Sequence, residues 1–155
     1  MTTLAEHLTT SLDREAAFDY VADFGRQAEW DPNTVSSRRI DDGPLGVGAR
    51  FALEVRMGPR TTSMEYRITE YDAPSRVVLV GEGSGVWSQD VITFHELPDG
   101  TRVDYVADIR LRGLLGFIQP LLGRAFSGIA KGAVTGMKRE LDELAARVPH
   151  DAPEA

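Results

Sequence analysis

No cysteine occurs anywhere in these 155 residues. Disulfides, thiolate metal sites and a cysteine nucleophile are thereby excluded, and a reducing, cytoplasmic setting is the simplest fit. Histidine is nearly as scarce: His7, His95 and His150 share no metal-ligand spacing, so no metal site is expected. No nucleophile elbow, phosphate loop, dinucleotide glycine pattern or carboxylate pair lies on a suitable scaffold, so no cofactor is expected and the catalytic residues, if any, are unknown. Long apolar runs are missing too, and none approaches the roughly 20 residues needed to span a bilayer. The amino end MTTLAEHLTTSLDREAAF lacks a basic start and an unbroken apolar core, so neither a secretory signal nor stable membrane insertion is expected. Basic charge is also short. With 17 Lys and Arg against 24 Asp and Glu, the formal net charge is -7, which disfavours nucleic acid and anionic lipid as partners.

What is present is a succession of short alternating runs followed by one long amphipathic segment. From about Leu114 to Ala146, Ile118, Leu122, Phe126, Ile129, Ala133, Met137, Leu141 and Leu144 recur every three or four residues. Arg124, Ser127, Lys131, Lys138 and Asp142 gather on the other side, as on a helix with one covered face. Ahead of it, Thr3 to Thr10 reads as a first strand, and Asp13 as the cap of a short helix carrying Phe18, Val21 and Phe24. Glu29-Trp30-Asp31-Pro32 ends that helical stretch, because proline pushes its predecessor out of the helical region. Six more strands are predicted: Thr34 to Ile40, Phe51 to Met57, Thr61 to Tyr71, Val77 to Gly81, Val86 to His95 and Arg102 to Leu111. The turns between neighbouring strands from Phe51 onward are too short for crossover helices, so the sheet should be an antiparallel meander. The size suits one domain, residues 1–147, with 148–155 a flexible tail rich in proline and acid.

Phe18-x-x-Val21-x-Asp23-Phe24 leads into Glu29-Trp30-Asp31-Pro32. Further on come Gly46-Val47-Gly48-Ala49, Tyr71-Asp72-Ala73-Pro74-Ser75-Arg76 and Asp99-Gly100-Thr101-Arg102-Val103. In this order, over about Leu4 to Leu144, the motifs resemble the polyketide cyclase/dehydrase branch of the START-like, SRPBCC superfamily. The resemblance implies an α+β helix-grip fold: a seven-stranded antiparallel curved sheet wrapped around a long C-terminal helix, with two short helices after strand 1. It also implies a hydrophobic cavity between sheet and helix. Members of this kind include aromatase/cyclases, lipid and quinone carriers and hormone receptors.

Strand alternation turns Phe51, Leu53, Val55, Met57, Met64, Tyr66 and Ile68 inward, joined by Val103, Tyr105, Ala107 and Ile109. About half of such positions should meet a ligand and the rest pack on one another. Tyr66 and Tyr105 are the pointed cases, since a buried phenol needs a hydrogen-bond partner from the protein or from a ligand. Trp30 is a gate at the cavity mouth or, more simply, a plug on the short helices. Phe117, Leu122, Phe126 and Ile129 complete the candidate ligand-binding set from the helical segment.

For strand 86–95 two registers are open. Trp87, Gln89, Val91 and His95 face inward in one, Ser88, Asp90, Ile92 and Phe94 in the other, and a bulge at Gly100 would exchange them. An inward Asp90 would be a candidate base with a raised pKa, although a strand aspartate is ordinarily solvated. Gly128, Gly132 and Gly136 recur every four residues; close packing is the simplest reason, cavity volume or helix pairing the alternatives. Residues 111–120, apolar and glycine-rich, read as a lid or portal closing on the core. The expected function is binding of a small hydrophobic molecule such as a polyketide, lipid or isoprenoid-like compound by a monomer or homodimer. A cyclase/aromatase acting in the same cavity and a closed-core interaction module are the alternatives.

Overall fold

A computed structural model of the chain describes residues 2–147. The expected tail 148–155, with His150, lies outside the described residues. Strand β1 (Thr2–Thr10) is followed by helix α1 (Arg14–Ala22), a 3-10 turn (Phe24–Arg26) and the four-residue helix α2 (Gln27–Trp30). Asp13 caps α1 as expected, its Oδ1 accepting the Ala16 amide at 2.8 Å. Strands β2 (Thr34–Arg39), β3 (Arg50–Met57), β4 (Arg60–Asp72), β5 (Arg76–Gly83), β6 (Val86–Leu97) and β7 (Gly100–Leu111) follow. Two 3-10 turns (Gly113–Phe117 and Gln119–Leu122) then lead into helix α3 (Gly123–Arg147).

The seven strands form one antiparallel sheet in the order β1-β7-β6-β5-β4-β3-β2. After β1, the short helices carry the chain to the opposite edge, and the meander then returns strand by strand until β7 pairs with β1. Helix α3 lies against β1 and α2, burying Phe126, Val134, Met137 and Leu141. This is the helix-grip fold. Its end is tied to the sheet by polar groups: Thr10 Oγ1 donates to Asp142 Oδ1 at 2.7 Å, and Lys138 Nζ donates to the Thr9 carbonyl at 2.8 Å.

Two expectations are corrected along the helical segment. The long helix begins at Gly123, not near Leu114, because Gly113 sits at φ 63, Pro120 has no amide hydrogen, and the intervening residues close as separate 3-10 turns. The segment also does not close on the core: Leu114, Phe117 and Leu121 are each more than 80% exposed. Gln119 holds it instead, donating from Nε2 to the Ile109 carbonyl at 2.8 Å and accepting the Leu111 amide on Oε1 at 3.1 Å. Since Phe117 touches little, Phe117→Ser should change stability by no more than about 0.5 kcal/mol in chemical denaturation. A larger loss would mean that the turn packs inward.

Among the glycines of α3, only Gly136 is fully explained by close packing. A Cβ there would stand 1.8 Å from the Trp30 carbonyl oxygen, whereas at Gly132 the nearest atom is 3.4 Å away and at Gly128 nothing lies within 4 Å. Gly136 thus lets α3 seat on the end of α2.

Candidate functional site

The polar centre of the molecule is set by the register of β6. Its pairing with β7 runs without a break from Val86↔Leu111 to Leu97↔Gly100, so no bulge intervenes. Val86, Ser88, Asp90, Ile92 and Phe94 are buried on the inner face. Trp87 lies outside under the Arg110 guanidinium, 5.6 Å from its ring centre, and exposed His95 pairs with Asp104 at 2.9 Å. The solvated reading of Asp90 is therefore overturned: the side chain is 4% exposed, because strand alternation cannot bury Ile92 and Phe94 without turning Asp90 inward with them.

Asp90 is satisfied by hydroxyls. Ser88 Oγ donates to Oδ1 at 2.8 Å, and the Tyr105 phenol donates to Oδ2 in a short hydrogen bond. The Tyr66 phenol stands in the same buried group, close enough to Ser88 and Asp90 to be influenced by both. Burial pushes the Asp90 carboxyl up to about 6, an effect only partly offset by the hydrogen bonds from Tyr105 and Ser88 and reinforced by the charge of Asp31. Burial likewise raises the Tyr66 and Tyr105 phenols, with Asp90 adding to both, so each stays protonated. Gly81 positions Tyr66 from across the sheet. A Cβ at Gly81 would meet the Tyr66 ring at 2.5 Å, so the missing side chain is the space in which the ring lies.

A second buried polar group stands beside the first. Gln27 Nε2 donates to Asp31 Oδ2 and Thr34 Oγ1, both at 3.1 Å, and Thr34 Oγ1 donates to Asp31 Oδ2 at 2.9 Å. Gln27 Oε1 and Trp30 Nε1 are the buried side-chain atoms without a hydrogen-bond partner among the described residues. No group of three His, Cys, Asp or Glu is placed to hold a metal among the described residues.

These groups border a cavity of about 100 Å³ between sheet and helix. Its apolar wall comes from Val55 and Met57 of β3, Met64 of β4, Ile109 of β7, and Phe126 and Ile129 of α3. Tyr66, Ser88, Asp90, Tyr105, Gln27 and Asp31 supply the polar end. Glu6 and the exposed Arg56 also line it. Eight of the thirteen candidate residues are thus brought together: Val55, Met57, Met64, Tyr66, Tyr105, Ile109, Phe126 and Ile129.

The other five are elsewhere. Phe51 and Leu53 are buried in the packed core and do not line the cavity, the Phe24 ring standing 6.4 Å from that of Phe51. Trp30 is a plug, 1% exposed, its ring edge-on to Phe24 and 6.4 Å from Tyr105. Leu122 packs at the margin of the core, and Phe117 is turned to solvent, 81% exposed, because the glycine-flanked turn projects from the fold. Gln27 and Asp31 were not among the candidates, and nothing in a four-residue helix before a proline marks an inward amide. Ser88 and Asp90 carried a signal: the bulkier apolar set Val86, Ile92 and Phe94 shares their parity.

A sequence model of the family described as polyketide cyclase/dehydrase and lipid transport matches residues 1–149. No curated protein matches the sequence. Among solved structures, an aromatase/cyclase from a Streptomyces species superposes with a TM-score of 0.78 at 12% identity, covering 94% of this chain and 96% of the other. A protein from Thermus thermophilus superposes at 0.77 with 15% identity, covering 94% and 99%. A START superfamily protein from Mycobacterium smegmatis superposes at 0.75 with 13% identity, covering 93% and 99%. At such identities the likeness is one of fold.

Proposed function

Because the chain belongs to the polyketide cyclase/dehydrase and lipid transport family, we propose that it binds a small hydrophobic molecule in the cavity between the sheet and α3. The observation that carries this reading is the cavity itself, an apolar chamber with its polar groups gathered around Asp90. Apolar burial, at about 25 cal/mol per Å², supplies affinity, and the polar end sets orientation. An engineered apolar cavity of about 150 Å³ accepts benzene, so a space of about 100 Å³ takes a short chain as it stands and a single ring once the flexible Met57 and Met64 side chains give way. Larger polyketides or lipids need the helix or the 113–122 turns to move outward.

Native mass spectrometry of the purified protein, followed by saturation with toluene, tests the proposal. A retained apolar molecule, or toluene binding in the millimolar range or tighter that is lost in Ala107→Phe, is the expected result. Toluene binding unaffected by that cavity-filling change would sink the reading.

A second reading, proton-transfer catalysis of the cyclase/dehydrase kind, is favoured by one feature: a buried carboxyl pushed up to about 6 between two hydroxyls. A base of that strength is poised to exchange a proton near neutrality. The closed interaction module would use Gly128, Gly132 and Gly136 as one surface, and Gly136, buried against Trp30, is not part of such a surface, although Gly128 is exposed. We take residues 1–147 to act as one cytoplasmic domain, monomer or homodimer, with no nucleic-acid partner. The absence of cysteine and the acid excess support this, and no helix among the described residues is long and apolar enough to cross a membrane.

A further inference from the structure

We propose that the molecule bound in this cavity carries a protonated amine, held by the free acceptor atoms of Gln27 and Asp90. The inference rests on the cavity being the ligand site and specifies the chemistry of its occupant.

Gln27 is the first observation. It is 5% exposed, lines the cavity, and has an amide oxygen with no partner. Its orientation is dictated by its neighbours. Asp31 Oδ2 can only accept, and Thr34 Oγ1 has already given its hydrogen to Asp31, so both need the Gln27 NH₂ group. Turning the amide over would set oxygen against two acceptors. The unpartnered atom of this cavity-lining residue is therefore a buried acceptor, which calls for a donor from the occupant of the chamber once the side chain turns toward it.

Asp90 is the second. It has about four lone-pair sites, and it accepts hydrogen bonds from two neutral hydroxyls, Ser88 and Tyr105. Charge points the same way. Three carboxylates, Glu6, Asp31 and Asp90, line the cavity against one guanidinium, Arg56, which is exposed. An anionic ligand would be repelled, and a neutral apolar one would leave both acceptors unused. An ammonium, with three donor hydrogens and a positive charge, answers both. The apolar wall and the volume set the remainder of the molecule at about one ring or a short chain.

Four probes of similar size separate the possibilities by calorimetry or NMR titration at neutral pH: benzylamine, benzyl alcohol, benzoate and toluene. Benzylamine should bind at least about tenfold more tightly than benzyl alcohol, the gain from replacing a neutral hydrogen bond by a charge-assisted one. Benzoate should not bind. In Asp90→Asn the preference for the amine should disappear while toluene still binds, which also shows that the variant is folded. Equal binding of amine and alcohol, binding of benzoate, or a preference that survives Asp90→Asn overturns the proposal. Failure of all four probes overturns the ligand cavity itself, whereas toluene binding without an amine preference overturns only the present inference.

Discussion

Replacing Gly136 by alanine should destabilise the protein by at least about 3 kcal/mol, while the same change at Gly128 should stabilise it by about 1 kcal/mol. The two sites lie on one helix and differ by eight residues, so intrinsic propensity predicts the same gain at both. At Gly128 nothing stands within 4 Å of a new Cβ, and the gain is free to appear. At Gly136 the new carbon would lie 1.8 Å from the Trp30 carbonyl oxygen, and that oxygen belongs to a backbone that cannot rotate away as a side-chain tip would. Relief requires α3 to lift from α2, disturbing the buried Trp30, Met137 and Leu141. Chemical denaturation of the two variants checks the opposite signs. Equal stabilisation of both would mean that the helix is not seated on α2 as described.

The second large effect is a pH dependence that Asp90→Asn removes. The folded protein holds the Asp90 carboxyl at about 6 against an ordinary 3.8, chiefly because burial penalises its charge. A carboxyl raised by folding favours the native state while it is protonated in both states. Its contribution is therefore fully present below about pH 4, is lost as pH rises through about 6, and is flat above. Each pKa unit is worth 1.36 kcal/mol, so the loss is about 3 kcal/mol in all. Asparagine cannot ionise. The stability of Asp90→Asn relative to the native protein should consequently improve by about 3 kcal/mol between pH 4 and pH 7.5, whatever the difference at the acid end. Taking the difference between the two proteins at each pH cancels the titration of the other carboxylates. A difference that does not change with pH would show that Asp90 ionises as freely in the folded chain as in the unfolded one.

Such a cost is the ordinary signature of a functional group. A hydrophobic residue at position 90 would pack beside Ile92 and Phe94 without it, and Tyr105 would then lack its acceptor. The same logic applies to Gln27, whose free oxygen is carried inside the fold with no return from the protein itself.

Much of the architecture follows from local rules that act within a few residues. Alternation in Phe51 to Met57 and in Thr61 to Tyr71, the breakers between them, and Asp13 before Ala16 are enough to place the strands, their antiparallel order and the first helix cap. The three-and-four spacing from Phe126 to Leu144 likewise marks the buried face of α3. Eight candidate residues reach the cavity because period-two alternation and helical spacing survive folding unchanged.

What local rules cannot supply is whatever depends on atoms brought from far along the chain. The parity of β6 was open because a single bulge would reverse it, and only the unbroken pairing with β7 turned Asp90 toward Tyr105. Phe51 and Leu53 have the alternation of cavity residues, yet both are taken up by the packed core, Phe51 beside Phe24. Leu114, Phe117 and Leu121 are apolar, and only the capture of Gln119 by the end of β7 leaves them facing water. Sequence by itself determined the sheet, the gripping helix and an apolar interior, because burial and backbone geometry act through near neighbours and repeat along the chain. Tertiary structure alone decided which acids and amides share that interior, because charge, desolvation and hydrogen bonding depend on distances that no spacing in the sequence encodes.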